Sequence, residues 1–388
     1  MASAGRDLPR RASVVIIGGG IMGVSTAYQL AAADVTGVLL VDADALGSGS
    51  TSKAAGGVRA QFSDSINIGL GLRSLRTFET FTEQFGQEID FRQVGYLFLL
   101  DSPEDVSLFE DAVKTQNELG VPSRMISIAE ASRLSPLVSA DGLLAAAFSP
   151  NDGYCTPESV VLGYATAARR LGARLIPHCP VTQIETQGDQ ITAVVTREGR
   201  VSTGTVICTA GAWSGQVAAW AGVHLPVTPL RRQVLVTEPV SGLDPHTPFT
   251  IDFGTSFYFH REGPGVLLGM SDPHETPGFK LNRSDAWLPD LARAMQRRAP
   301  ALMNAGIKNG WAGLYEVTPD NNALIGESAT VKRFLYATGF SGHGFLMGPA
   351  VGEVLRDLYV GRPPPIDVAG LDADRFAAST ARPERNII

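Results

Sequence analysis

The fold is decided by residues 12–42: Ala12-Ser-Val-Val-Ile-Ile-Gly-Gly-Gly-Ile-Met-Gly23, and then Gly37-Val-Leu-Leu-Val-Asp42. Ala12 to Ile17 is a short apolar run rich in β-branched residues, which reads as a buried parallel strand. Gly18, Gly20 and Gly23 follow at G-x-G-x-x-G spacing, and Val24, Ala27, Tyr28 and Ala31 then recur at helical spacing. Gly37 to Val41 reads as a second buried strand and ends at Asp42, 19 positions after Gly23. Each glycine has its own reason. Gly18 permits a tight turn, Gly20 lets backbone approach a pyrophosphate, and Gly23 lets helix and strand pack closely. The helix N-terminus offers unpaired N–H groups and positive partial charge to phosphates, and an acid at the end of the second strand accepts hydrogen bonds from ribose hydroxyls. The unit predicts dinucleotide binding. The plain alternative is a glycine-rich turn with Asp42 as a solvated strand end.

Outward from this unit the chain changes texture several times. Residues 47–62, GSGSTSKAAGGVRAQF, form a Gly/Ser loop, and 66–86 read as helix. A strand is expected from Gly95 to Leu100 and a helix near 103–120. Thr156-Pro157-Glu158 reads as a helix start with a capping hydroxyl, and Gly172 as its terminator. Strands are expected at 174–176, 181–185, 191–196 and 205–209. Further strands near 231–238, 256–261 and 265–270 precede a helix carrying Leu291 and Met295. From Arg333 to Gly361 the order is strand, glycine turn, helix, stopped by Gly361 and Pro363. The expected architecture is α/β: a discontinuous, doubly wound dinucleotide domain over 10–86, 155–225 and 305–377, with a mixed or antiparallel-sheet substrate domain over 87–154 and 226–304. Residues 1–9 and 378–388 are expected to be flexible termini.

Composition narrows the function. The 388 residues are 44% hydrophobic and 18% charged with a net charge of −7, an ordinary globular balance that suggests two interlocked domains. Without a basic block, neither nucleic acid nor an anionic membrane surface is an expected partner. Cys155, Cys179 and Cys208 lack paired spacing, so neither a metal site nor a disulfide framework is expected. No apolar run is long enough for a signal peptide or a membrane span, and the expected location is cytoplasmic.

Two later segments bear on which dinucleotide is bound. AGAWSG at 210–215 follows a buried strand, a second place for backbone to approach a cofactor. ATGFSGHGFLM at 337–347 is a glycine turn ahead of a helix, aiming N–H groups at something electron-rich. A nicotinamide-dependent dehydrogenase has no use for this second glycine-rich helix start. It suits a larger cofactor whose reduced ring is anionic.

Four segments together resemble the D-amino-acid-oxidase-type FAD-dependent oxidoreductases: VVIIGGGIMG with Asp42, GSGSTSKAAGGVR, CTAGAWSG, and WAGLYEVTPDNNALIG with ATGFSGHGFLMGPAVGEVL. Within them the chain is most similar to the branch of sarcosine oxidase β-subunits, monomeric sarcosine oxidase, glycine oxidase and L-proline dehydrogenase. The resemblance covers about residues 12–377. It implies that Gly18, Gly20, Ile21, Met22 and Gly23 hold the FAD pyrophosphate and Asp42 the adenosine ribose. Ser50, Thr51, Ser52, Lys53, Gly56 and Gly57 would run along the phosphates to the flavin, and Val181 would meet adenine. Ala210, Gly211 and Trp213 would line the cofactor. Gly313, Leu314, Gly342, His343, Gly344, Phe345, Leu346 and Met347 would surround the isoalloxazine. Monomeric sarcosine oxidases attach flavin through a cysteine where this chain has Gly313, so non-covalent FAD is expected. They also carry a lysine where Leu346 stands, and Arg59 with Phe62 replaces a richer arginine patch.

The expected catalytic candidates are His343, Tyr258, Tyr315, Arg59 and His260. Strand spacing puts Tyr258 and His260 on one face. Arg59 is read as a carboxylate clamp, or as a phosphate or interdomain ion-pair partner. Arg231 and Arg232 are read as structural, and Glu316 and Asp320 receive no role. The resemblance implies hydride transfer from the carbon beside a neutral amine nitrogen to flavin N5, with hydrolysis of the imine. The substrate would be a small secondary or N-methyl amine or amino acid. The electron acceptor would be O2 or a partner chain, and the branch accommodates oligomers. The alternative is a flavoprotein subunit of a larger dehydrogenase complex, or an assembly factor with little activity alone.

Overall fold

The structure is a computed structural model describing residues 8–378 and 380–386. Its first sheet has six strands in the order Leu324–Glu327, Phe334–Thr338, Val206–Cys208, Val14–Ile17, Val38–Val41 and Arg174–Ile176, parallel except for the Leu324–Glu327 edge. Val14–Ile17 and Val38–Val41 are buried at every position, as expected for strands covered on both faces.

A second sheet has eight strands in the order Ile307–Val317, Thr228–Thr237, Gly265–Met270, Phe257–Glu262, Phe249–Asp252, Tyr96–Leu100, Ala145–Ser149 and Arg124–Ile126. Its pairs are antiparallel except Phe249–Asp252 with Tyr96–Leu100. The mixed sheet expected from sequence is therefore present, with one correction. Ile307–Val317 pairs with Thr228–Thr237 in the large sheet and does not join the dinucleotide unit to which 305–377 had been assigned. An 11-residue strand has no neighbour long enough in the six-stranded sheet, whereas Thr228–Thr237 matches it residue for residue to Val236.

Local boundaries differ where side chains cap in unexpected ways. The helix expected over 66–86 is two helices, Ser65–Glu79 and Phe81–Phe85, broken at Thr80. Asp64 caps the first by accepting from the N–H groups of Ile66 and Asn67. Thr156 supplies no side-chain cap to Pro157–Arg170. The expected flexible C-terminus is also corrected: within 380–386, Glu384 and Asn386 are buried. Leu8 packs against the core beneath the six-stranded sheet, while residues 1–7, 379 and 387–388 lie outside the described residues.

Two helices organise the interior. Ile21–Ala32 buries nine of its residues, and Gly344–Val360 lies directly against it. The contact needs glycine: a Cβ on Gly348 would lie 2.3 Å from Ile21 Cγ1, and one on Gly352 within 2.9 Å of Ser25 backbone. The Ser25 hydroxyl donates to the Gly348 carbonyl at 2.8 Å. Among the described residues, no helix is long and apolar enough to cross a membrane.

Overpacking this contact should be felt at once. Gly352→Val is expected to lower thermal stability by about 1–3 kcal/mol. Gly204→Ala, where a Cβ meets nothing within 4 Å, is expected to stay within about 0.5 kcal/mol of wild type. Equal melting temperatures for both variants would show that the helices do not depend on this close approach.

Candidate active site

The glycine turn is held by its neighbours. Gly18 has φ +109°, and a Cβ there would lie 2.3 Å from the Thr209 carbonyl oxygen. A Cβ on Gly23 would lie 1.9 Å from the Gly18 oxygen, so Gly23 serves helix–strand packing and is not on the cavity wall. The Thr209 hydroxyl donates to the Gly18 carbonyl at 2.9 Å. Asp42 Oδ2 accepts from Gly19 N at 2.5 Å and Oδ1 from Asp44 N at 2.7 Å. Burial raises the Asp42 pKa against the pull of these two donors.

A cavity of about 650 Å³ opens from this turn. It lies outside the carboxyl ends of Val14–Ile17, Val38–Val41 and Val206–Cys208, where ligands of open α/β sheets bind. Its other wall is the eight-stranded sheet, through Tyr96, Arg232, Val234, Phe249, Tyr258 and Ala312 to Glu316. Both organising helices present their N-termini here: Gly20 caps Ile21–Ala32 and His343 caps Gly344–Val360. Two positive helix ends thus meet one cavity.

The Gly/Ser loop is stitched to both walls. Thr51 Oγ1 accepts from Ile21 N at 3.1 Å. The Ser50 hydroxyl donates to the Leu314 carbonyl at 2.6 Å, and Trp311 Nε1 donates to the Lys53 carbonyl at 3.1 Å. A Cβ on Gly313 would lie 2.6 Å from Lys53 Cβ, so the loop occupies the space a side chain would need. Gly57 is equally constrained: a Cβ there would lie 1.8 Å from the Tyr96 hydroxyl oxygen.

Most residues expected at the cofactor line this cavity. Gly18, Gly20, Ile21, Met22, Asp42, Ser50, Thr51, Lys53, Gly56, Gly57 and Val181 do so, as do Ala210, Gly211, Trp213, Gly313, Leu314, Gly342, His343, Gly344, Phe345 and Leu346. Besides Gly23, two others do not. Met347 turns into the core against the first helix, and Ser52 is not on the wall.

The candidate catalytic residues divide. Tyr258, Tyr315, Arg59 and His343 line the cavity. His260 does not, although it shares its strand face with Tyr258, both rings stacking on Phe249. Its ring is buried, with Nδ1 2.8 Å from the Arg261 carbonyl oxygen and Nε2 2.9 Å from that of Ala55. Burial outweighs those two carbonyls and pushes its pKa down to about 4. His343 is also buried, its ring 5.4 Å from the Phe62 ring, and neither ring nitrogen has a hydrogen-bond partner. Burial lowers its pKa to about 3, so the imidazole is neutral. Arg59 forms no ion pair among the described residues. It donates to the carbonyls of Gln61 and Asn386 and lies 4.0 Å over the Phe62 ring.

Arg232 was missed. Arg231 is structural as read, donating to Glu275 at 2.6 Å. Arg232, one residue on, points to the opposite face and into the cavity. Its guanidinium lies 5.1 Å over the Tyr315 ring, and its buried Nε has no partner. Strand alternation with Val234, two residues on, was the available signal. Glu316 also lines the cavity; its carboxyl accepts from Thr338 Oγ1 at 2.9 Å, and burial raises its pKa.

Two helix N-termini, glycine cradles that no Cβ could share, and the unpartnered nitrogens of His343 and Arg232 together fit a large anionic, polar-edged cofactor. Comparison with known proteins agrees. A family profile described as FAD dependent oxidoreductase (DAO) matches residues 13–358. Mitochondrial dimethylglycine dehydrogenase of Rattus norvegicus is 31% identical over 95% of this chain and 45% of its own length. The 4-methylaminobutanoate oxidase (formaldehyde-forming) of Paenarthrobacter nicotinovorans is 27% identical over 97% of this chain and 47% of its own. The chain thus spans about half the length of these curated relatives. The crystal structure of L-proline dehydrogenase from P. horikoshii superposes with a TM-score of 0.90 at 32% identity, covering 97% of this chain and 100% of that one.

The depressed His260 pKa has a sign that can be checked. Between pH 6.5 and about 4 the unfolded chain binds a proton at this residue that the folded chain refuses, so folding stability falls as pH falls through that window. His260→Gln is expected to flatten the melting temperature against pH over the same range. An unchanged slope would mean that His260 is protonated in the folded protein.

Proposed function

The chain belongs to the DAO family of FAD-dependent oxidoreductases, and from that membership we propose that it oxidises the carbon–nitrogen bond of a small secondary or N-methyl amino acid. It is an oxidoreductase, and FAD is its cofactor. The observation carrying the substrate reading is Arg232, a guanidinium in the cavity with an unpartnered Nε, set beside Tyr258 and Tyr315. A planar fork of donors next to two phenols suits a carboxylate. The names of the relatives point the same way: dimethylglycine, 4-methylaminobutanoate and L-proline each join an alkylated nitrogen to a carboxylate.

When bound, FAD supplies the acceptor for a hydride from the carbon beside nitrogen, and the imine product is hydrolysed to a carbonyl compound and an amine. The residues of this chain do the remainder. Gly18, Gly20 and the N-terminus of Ile21–Ala32 would hold the pyrophosphate, and Asp42 the ribose. The N-terminus of Gly344–Val360, with Arg59, places positive potential at the flavin end. Burial keeps the Tyr258 and Tyr315 hydroxyls protonated and able to donate. Arg59 and Arg232 disfavour an ammonium in the same enclosed space, which favours the neutral amine that oxidation requires. Leu346 adds no charge, so Arg232 carries the carboxylate.

The flavin is held without a covalent bond. Gly313 offers no side chain, and the Lys53 stem fills the space beside it. Cys155 and Cys208 are buried away from the cavity wall, and burial lifts their thiol pKa values, that of Cys208 to about 11, while Cys179 lines the cavity at the Asp42 end, where its N–H donates to the Asp42 carbonyl at 2.6 Å.

Anaerobic titration tests the reading. Sarcosine, dimethylglycine, L-proline, glycine and D-amino acids are added while flavin absorbance is followed. At least one N-alkylated amino acid is expected to bleach the flavin. Arg232→Gln should raise its KM by about ten- to hundredfold, the loss of a charged hydrogen bond worth about 1.5–3 kcal/mol, with a smaller change in the limiting rate. Bleaching by amines that lack a carboxylate, equally well in wild type and variant, would overturn the assignment of Arg232.

A further inference from the structure

The turn Thr318-Pro-Asp-Asn-Asn322 follows the strand that carries Tyr315 and has no place in the chemistry above. Its contacts lead away from the cavity and back to it. Asp320 makes a paired contact with Arg375, at 2.9 Å to each of two guanidinium nitrogens, and Asp320 Oδ2 also accepts from Arg382 N at 3.1 Å. The Asp320 carbonyl accepts from Glu384 N at 3.1 Å, and Asn322 Nδ2 donates to the Arg382 carbonyl. The turn therefore fastens the segment 382–386.

That segment is also fixed from the opposite side. The Glu384 carboxylate, 2% exposed, accepts from Ser63 N at 2.9 Å, Ser63 Oγ at 2.6 Å, Asp64 N at 3.1 Å and Asn67 Nδ2 at 2.9 Å. It closes on its own backbone through Arg385 N at 3.0 Å and Asn386 N at 2.9 Å. Asn67 Nδ2 also reaches Asn322 Oδ1 at 2.5 Å, joining the two anchors. Asn386 is fully buried, and its carbonyl accepts from Arg59 Nη2 at 2.6 Å. Arg59 has its other terminal nitrogen on the Gln61 carbonyl and lines the cavity. Six donors on one carboxylate are far more than a solvated surface acid collects, and the chain they fix ends on an active-site guanidinium.

We propose that residues 382–386 form a strap that positions Arg59 at the flavin end of the cavity, with Glu384 as its lock and Asn386 as its contact. Glu384 and Asn386 are positioning residues that act through Arg59 and touch no substrate. A buried guanidinium without a carboxylate partner is held by the carbonyls it donates to, here with the Phe62 ring beneath it, and one of its two carbonyls belongs to the strap. Replacing the Glu384 carboxylate by an amide turns an amide N–H2 toward the donors that surround it and releases the lock. The proposal rests on the reading that this cavity holds FAD.

A double-mutant cycle on the holoenzyme tests it, with wild type, Glu384→Gln, Arg59→Gln and the double variant. Two readouts are taken: the flavin midpoint potential, measured with redox dyes and no substrate, and the rate of anaerobic flavin reduction by the best amino acid. Glu384→Gln is expected to slow reduction about tenfold in the wild-type background and less than threefold in the Arg59→Gln background. The shift in potential should shrink in the same way. Effects of equal size in both backgrounds, or no effect in wild type, would overturn the strap. If Glu384→Gln does not fold, Asn67→Ala releases the same lock without changing charge and enters the same cycle. If no amino acid bleaches the flavin, the substrate reading fails while the potential cycle still decides on the strap.

Discussion

The structure depends on one close contact between two helices that begin about 320 residues apart. Gly348 and Gly352 let Gly344–Val360 press against Ile21–Ala32 more closely than any side chain would allow, and Ser25 spans the gap with a hydrogen bond. Because each helix starts at a glycine turn, the contact fixes two N-termini over one space. Partial positive charge is thus delivered at two points of the same cavity, by backbone alone. Closing it requires the second wall, and the Gly/Ser loop supplies the seam by bonding to Ile21 on one side and Leu314 on the other.

Charge within that cavity is distributed by function. Asp42 stands at the first glycine turn with its carboxylate already half-satisfied by backbone N–H groups. Arg59 and Arg232 stand where the eight-stranded sheet and the C-terminal glycine turn meet, and neither is neutralised by a carboxylate among the described residues. Glu384 and, after it, Asp152 are the buried acids whose charge acts on Arg59, and burial raises the Asp152 pKa to about 7 even against the amide of Ala60. The positive potential is therefore left available to ligands. The strap from 382 to 386 holds Arg59 through a carbonyl, and the carboxylate that locks the strap makes no ion pair with Arg59 among the described residues.

What the sequence revealed follows from which signals are local. Gly18, Gly20, Gly23 and Asp42 form a short-range pattern whose geometry is dictated by backbone sterics, so the first unit was legible almost to the residue. The turn at 337–347 was legible for the same reason. Arg232 was not, because two adjacent arginines on a strand look alike until the sheet supplies an inside and an outside. His260 failed the other way: its strand face was right, but Ala55 and Arg261 carbonyls took both ring nitrogens. The assignment of Ile307–Val317 missed because its partner strand, Thr228–Thr237, lies about 70 residues upstream and their pairing leaves no local mark. The burial of Glu384 and Asn386 left no sequence signal. RPERN is polar and charged, and the donors of Ser63, Asp64 and Asn67, brought near by the fold, make the burial of Glu384 within it favourable.

The central claim is that this cavity holds FAD by backbone and side-chain contacts alone. Acid precipitation of the purified yellow protein tests it most directly. The account predicts that all the flavin appears in the supernatant as intact FAD, at about one per chain. Flavin that remains with the precipitated protein, or a protein that purifies colourless and takes up no FAD, would contradict it.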